Sequence, residues 1–238
     1  MGSQHEFPPI PARALHESRV NWRILGHDSG RILELYHPPS GRIYCRALVS
    51  SAFRDWDVLF RRETPRFSMP HPLDQLIWIP PLAQAGGVFL HACGAVLDGR
   101  AFVFAGHSGD GKTTLAQLLE DEGLPILSDE RIALRRDEEG YRAYGTPWPG
   151  EGERVSSASH PLGALFVLRK AEEHRILEAP RHVLAGEIVA RSIVPYYLPE
   201  VADEVLTTLA RLLSEVPLHQ LDFARLPGLA SILEGGAL

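Results

Sequence analysis

One stretch restricts the fold more than any other: "RAFVFAGHSGDGKTTLAQLLE", residues 100–120. An apolar run ends at Gly106, residues 106–113 read GHSGDGKT and so satisfy G-x-x-x-x-G-K-[ST], and a helical pattern with Leu115, Leu118 and Leu119 on one face follows. A strand that turns through three glycines into a helix predicts an α/β architecture with a phosphate cradle at the turn. Glycines let the backbone adopt positive φ and bring its N–H groups onto phosphate oxygens with no Cβ in the way. The helix N-terminus near Lys112 adds partial positive charge to the same spot. The cradle residues are therefore Gly106, His107, Ser108, Gly109, Asp110, Gly111, Lys112, Thr113 and Thr114. Lys112 is expected to reach the β- and γ-phosphates of a nucleotide, with the Thr113 hydroxyl on Mg²⁺. No short motif selects the base, and ATP is the expected nucleotide.

A magnesium–phosphate site needs a carboxylate opposite the loop, because this ion prefers oxygen ligands in near-octahedral geometry. "LPILSDE" supplies the candidates: Asp129 and Glu130 stand where an apolar strand ends, about one strand–helix–strand unit after the loop.

The rest of the chain is read around this centre. From Val20 to Val49 apolar and polar residues alternate and are cut by "HDSG" and "HPPSG", which predicts a small antiparallel sheet. The proline-rich "RRETPRFSMPHP" suggests a boundary near residue 70, giving a β-rich portion over 1–70 and a core with C-terminal helices over 71–238. "LDQLIWIPPLAQAGG" carries a short helical pattern, Asp98-Gly99 a hairpin turn, and Gly123 a helix stop. Strands are expected on both sides of Asp129, with "DEEG" turning the second into "YRAYG", and "TPWPGEGER" reads as a loop. "GALFVLRK" and "EHRILEA" are expected to pair as strands, and residues 199–216 keep helical spacing. The composition, 45% hydrophobic and 23% charged, is that of a globular chain, and a net charge of -6 argues against nucleic acid as partner. Cys45 and Cys93 are too few for a disulfide framework. No apolar run approaches the roughly 20 residues that span a bilayer, and the expectation is a cytoplasmic protein with no membrane partner.

The run from Leu90 to Leu134 resembles the HPr kinase/phosphorylase family and its relatives with the phosphoenolpyruvate-carboxykinase-like P-loop fold. Three features carry the likeness: His91 in "LHACG", the "GHSGDGKTT" loop, and the acidic pair Asp129-Glu130, where the family usually has two aspartates. The resemblance implies a mixed sheet with flanking helices and transfer of a phosphoryl group to a serine hydroxyl. It makes Asp129 the general base, His91 its orienting neighbour, Lys112 a phosphate-binding catalytic residue and Glu130, with Thr113, a magnesium-site residue. "GTPWPGEGE" looks like a Gly-Thr-Pro segment of HPr-kinase-like proteins in peptide-modification clusters, which would bring Glu151, Glu153 and Arg154 near the phosphates; a solvated loop is the other reading.

The likeness is good over residues 87–150 and loose over 160–190. There is no counterpart of the segment that contacts HPr, and the N-terminal portion is short for the usual regulatory domain. Kinases of lasso-peptide precursors share this trimmed layout, so the implied partner is a peptide or protein bearing a serine hydroxyl, and self-association is implied by relatives. A kinase of a free hydroxyl compound such as serine, and a regulatory module that binds nucleotide without transfer, remain open.

Overall fold

The computed structural model describes residue 7 and residues 10–28, 30–61 and 72–236. The boundary expected near residue 70 lies outside the described residues. The chain divides into two compact units, Met1–Pro81 and Leu82–Leu238.

The first unit holds a five-stranded antiparallel meander: β1 (Arg13–Glu17), β2 (Trp22–His27), β3 (Gly30–His37), β4 (Arg42–Ser50) and β5 (Trp56–Phe60), in that order across the sheet. The alternation over residues 20–49 supplies the middle three strands, and β1 and β5 extend the sheet on either side. Ile24, Leu33, Leu35, Cys45 and Ala47 are buried along one face, as period-two patterning requires. On the opposite face Glu34 is buried between two arginines: its oxygens lie 2.7 Å from Arg23 Nη2 and 2.6 Å from Arg46 Nη2. A buried carboxylate is tolerable only when paired in this way. Helix α1 (Leu73–Gln84) runs across the point at which the chain divides.

The second unit is mixed α/β. Its elements in chain order are β6 (Gly87–Leu97), β7 (Arg100–Ala105), α2 (Lys112–Asp121), β8 (Ile126–Ser128), β9 (Arg131–Arg136), β10 (Tyr141–Tyr144), β11 (Ser159–Lys170), β12 (Arg175–Leu177), α3 (Arg181–Ala190), α4 (Pro199–Glu215), β13 (Leu218–Phe223) and α5 (Leu229–Gly236). The eight strands run β10-β9-β6-β7-β11-β13-β12, with β8 also on β6. An extra pairing of β10 with the start of β11 closes β10, β9, β6, β7 and β11 into a ring. Asp98 and Gly99 both take positive φ, 50° and 76°, the geometry of a tight β6–β7 hairpin. Parallel pairing of β7 with β11, and of β11 with β13, forms the centre of the sheet.

Strand β6 is shared. Its first half, Gly87 to His91, pairs with β9, and its second half, Ala92 to Leu97, pairs with β7. His91 therefore sits at the switch, level with the end of β7 where the glycine loop begins, and the Gly106 N–H donates to the His91 carbonyl at 3.4 Å. One core layer packs Phe102, Phe104, Phe166, Leu115, Leu119, Leu221, Phe223 and Leu229 together, with Phe104 and Phe166 stacked 5.1 Å apart. Full burial of each such side chain is worth about 1.5–3 kcal/mol. This layer fixes α2 to the sheet and so fixes the loop that precedes it.

The expected pairing of "GALFVLRK" with "EHRILEA" is corrected. Strand β13 lies between them, parallel to β11 and antiparallel to β12. Helices α3 and α4 return the chain so that β13, with Leu221 and Phe223 in the core, fills the slot beside β11. Among the described residues no helix is long and apolar enough to cross a membrane.

Candidate functional site

The glycine loop has the backbone that its residue types predict. Gly109 and Gly111 hold φ of 84° and 99°, and Gly111 caps the N-terminus of α2. At Gly111 a Cβ would meet Phe223 Cζ at 2.6 Å, so both the turn and the packing beneath it exclude a side chain. Inside the loop, Asp110 Oδ2 accepts the His107 N–H at 2.5 Å. Lys112 is buried, and its Nζ donates to the Gly106 and His107 carbonyls at 3.2 and 3.1 Å. Burial pushes the Lys112 ammonium below the usual lysine range, opposed by Glu130, Cys93 and Asp110. A buried cation in a glycine loop at a helix N-terminus is suited to an anion. His107, Ser108 and Gly109 are exposed around it.

Asp129 and Glu130 follow β8 in a turn built by Ser128. The buried Ser128 Oγ accepts the N–H groups of Glu130 and Arg131, both at 3.2 Å, which turns the chain between β8 and β9. The two acids then diverge. Glu130 Oε1 meets His91 Nε2 at 3.0 Å, with Arg131 Nη2 at 3.8 Å. Asp129 is 1% exposed; its Oδ1 accepts from the Gly150 N–H at 2.9 Å and its Oδ2 from the Gly152 N–H at 2.7 Å. The hydrogen-bonding partner of His91 is thus Glu130 rather than Asp129. Burial pushes His91 below the usual imidazole range; the nearby Lys112 adds to this and Glu130 opposes it. Cys93 is fully buried close by, and its thiol is pushed up to about 12, which keeps it in the unreactive neutral form.

Residues 145–154 form a loop over Asp129. Thr146 Oγ1 donates to the Arg131 carbonyl at 2.8 Å, Trp148 packs edge-on against Phe89 at 5.3 Å, and Val155 bridges to Ser128. Arg154 turns to α2: its Nε and Nη2 lie 2.9 and 2.8 Å from Glu120 Oε2, and it also bonds Gln117. Glu151 and Glu153 are exposed. A Cβ on Gly152 would collide with Asp129 Oδ2 and Arg154 Nη1 and come within 3.0 Å of Thr113 Cγ2, so the loop, the acid and the start of α2 meet at this glycine.

Sequence reading missed Arg191. It caps the C-terminus of α3, and its carbonyl accepts the His91 N–H at 2.8 Å, tying it to β6. Its side chain is buried, bonds the Glu187 carbonyl and carboxylate, and sets Nη2 3.7 Å from Asp110 Oδ2; its Nε has no partner. A second cation thereby joins the loop. No local signal marks an arginine ending a short apolar helix, and only the tertiary pairing of residues 191–193 with Phe89–His91 brings it in.

The group is one electrostatic neighbourhood of Lys112, Arg191, Asp110, Asp129, Glu130 and His91, gathered where β6, β7, α2 and the end of α3 meet. No curated protein matches the chain. The model of one family, described as SynChlorMet cassette protein ScmC, matches residues 75–195, a span that contains His91, the glycine loop, both acids and Arg191. That span is half of the chain, and the chain belongs to the ScmC family.

Proposed function

We propose that the protein is an ATP-dependent phosphotransferase of HPr-kinase-like P-loop type, moving the γ-phosphoryl group of ATP to a hydroxyl. The acceptor that fits best is a serine of a peptide or protein, with precursors of modified peptides the first class to try. The observation that carries the reading is the buried Lys112 inside the glycine loop, with the Asp129 carboxylate and Thr113 both brought against Gly152.

On this reading the loop amides and Lys112, released from the Gly106 and His107 carbonyls, hold the phosphates, and Arg191 adds positive charge behind Asp110. The acceptor oxygen attacks the γ-phosphorus in line while the bond to the ADP oxygen breaks, and the hydroxyl proton passes to Asp129. Each carboxylate oxygen has two lone-pair sites, so an Asp129 oxygen that is brought into contact with the hydroxyl can take that proton while the other keeps its bond to the loop. Catalysis is then positioning plus electrostatics. His91 and Glu130 hold one flank of the site together. Mg²⁺ fits an all-oxygen donor set: the Thr113 hydroxyl and the Glu130 carboxylate would hold it, and it would neutralise phosphate charge. Among the described residues no three His, Cys, Asp or Glu form a metal cluster by themselves, so phosphate and water would complete its shell.

The burial of Asp129 favours one other reading, a regulatory module that binds nucleotide without transfer. Incubation with γ-labelled ATP and Mg²⁺ separates the two, using serine-bearing peptides encoded beside the gene, proteins, and free serine as acceptors. Label transferred by the wild type and lost in Asp129→Asn, with ATP still bound, is expected; an unlabelled set of acceptors would overturn the kinase reading.

A further inference from the structure

We infer that residues 147–154 are a latched lid over Asp129, and that its opening admits the acceptor. The inference rests on the kinase reading above for its purpose, though not for its geometry. A base must touch the hydroxyl that it deprotonates, yet Asp129 is 1% exposed and each of its oxygens carries a main-chain N–H from this one loop. An acceptor can reach it only when Gly150 or Gly152 withdraws.

The loop is held in two different ways. At its ends it is fixed, by Thr146 on the Arg131 carbonyl and by Val155 on Ser128. Between these points it is held by Trp148, the two amides on Asp129 and the Arg154 side chain, with a turn of its own from the Glu153 N–H to the Gly150 carbonyl at 3.1 Å. Arg154 is the latch: its guanidinium lies across Gly152, donates to the Gly152 carbonyl at 3.3 Å and is fastened to Glu120 and Gln117 on the outer face of α2. Glu153, with φ of 56°, takes a left-handed conformation that costs a non-glycine residue energy, so the closed loop carries local strain. A polar pocket of about 340 Å³ lined by Glu120, Ile126, Gly152, Glu153, Arg154 and Val155 lies along the latched edge, giving the loop room to swing outward. Because the latch is on the helix that begins at the phosphate loop, movement at the phosphates is transmitted to the lid.

The test uses the full chain and two variants that unlatch it by different routes. Glu120→Gln removes the charge that holds Arg154. Gly152→Ala introduces a Cβ that cannot fit against Asp129 Oδ2 and Arg154 Nη1 in the closed state. Hydrogen exchange over residues 147–154 is read beside phosphate release from γ-labelled Mg·ATP with water as acceptor. Exchange should quicken about two- to fivefold in Glu120→Gln and about tenfold or more in Gly152→Ala, with α2 unchanged. Phosphate release should rise in the same order. Unchanged exchange in both variants overturns the lid, and so does faster exchange with slower release, which would make the closed loop the working conformation. If wild type and variants all release no phosphate while exchange responds as expected, the kinase reading fails and the latched loop stands.

Discussion

Nε2 of His91 lies 3.0 Å from Oε1 of Glu130, and the same imidazole feels the Lys112 charge. Burial and Lys112 hold its pKa below 6.5 in the folded chain, whereas the unfolded chain titrates near 6.5. Between those two values the unfolded state binds more protons, so stability drops as pH falls through 6.5 toward the lowered value. Urea unfolding of wild type and His91→Gln from pH 8 to 5 is expected to show a steeper acidic loss in the wild type. Parallel profiles would refute the assignment.

Lys112→Met is expected to weaken ATP binding by about 10- to 100-fold, the worth of charge-assisted hydrogen bonds to phosphate. Titration calorimetry measures it. Circular dichroism should be unaltered, because α2 is anchored by Leu115, Ala116 and Leu119 rather than by the lysine.

Two glycines of the loop should respond differently to the same change. Gly111→Ala places a Cβ 2.6 Å from Phe223 Cζ at φ 99° and is expected to cost about 2–4 kcal/mol. Gly109→Ala meets no atom within 4 Å and carries only the backbone term, about 1–2 kcal/mol. Denaturant midpoints of the two variants decide this, and equal losses would contradict the packing of Phe223 beneath the loop.

Arg191→Gln removes a buried charge that neighbours Asp110 and leaves Glu187 with Arg169 alone, 3.1 Å away. Nucleotide affinity should fall about tenfold and stability by about 1–3 kcal/mol. Stability lost with affinity intact would make Arg191 a strut for α3 and not a phosphate residue.

Some of this was legible because it is local. The glycine loop, the Asp98-Gly99 turn and the stop at Gly123, which donates to the Glu120 carbonyl at 2.9 Å, are each written in a few adjacent residues whose backbone preferences have no competitor. The acids could be found but not their roles, since Asp129 and Glu130 part company through Ser128, whose hydroxyl takes two N–H groups in a way that no spacing announces. Strand β13 was hidden because "LHQLDF" is short, lies after two helices, and gains its place only by filling the slot beside β11. Arg191 was hidden for the same reason. Its importance resides in the pairing of distant segments.

The ring formed by β10, β9, β6, β7 and β11 bears on solubility. Strands whose hydrogen bonds are spent on both sides offer no template to another chain, and β12, beyond β13, is only three residues long and begins with Arg175. The meander of the first unit has no such closure: β1 ends it with five residues, and the register shift between Ala14 and His16 is what interrupts that edge. Should partial unfolding ever lead to self-association, the seed is therefore expected at an edge of this meander, and at β5 before β1, since the pairing of β5 with β4 carries no such register shift.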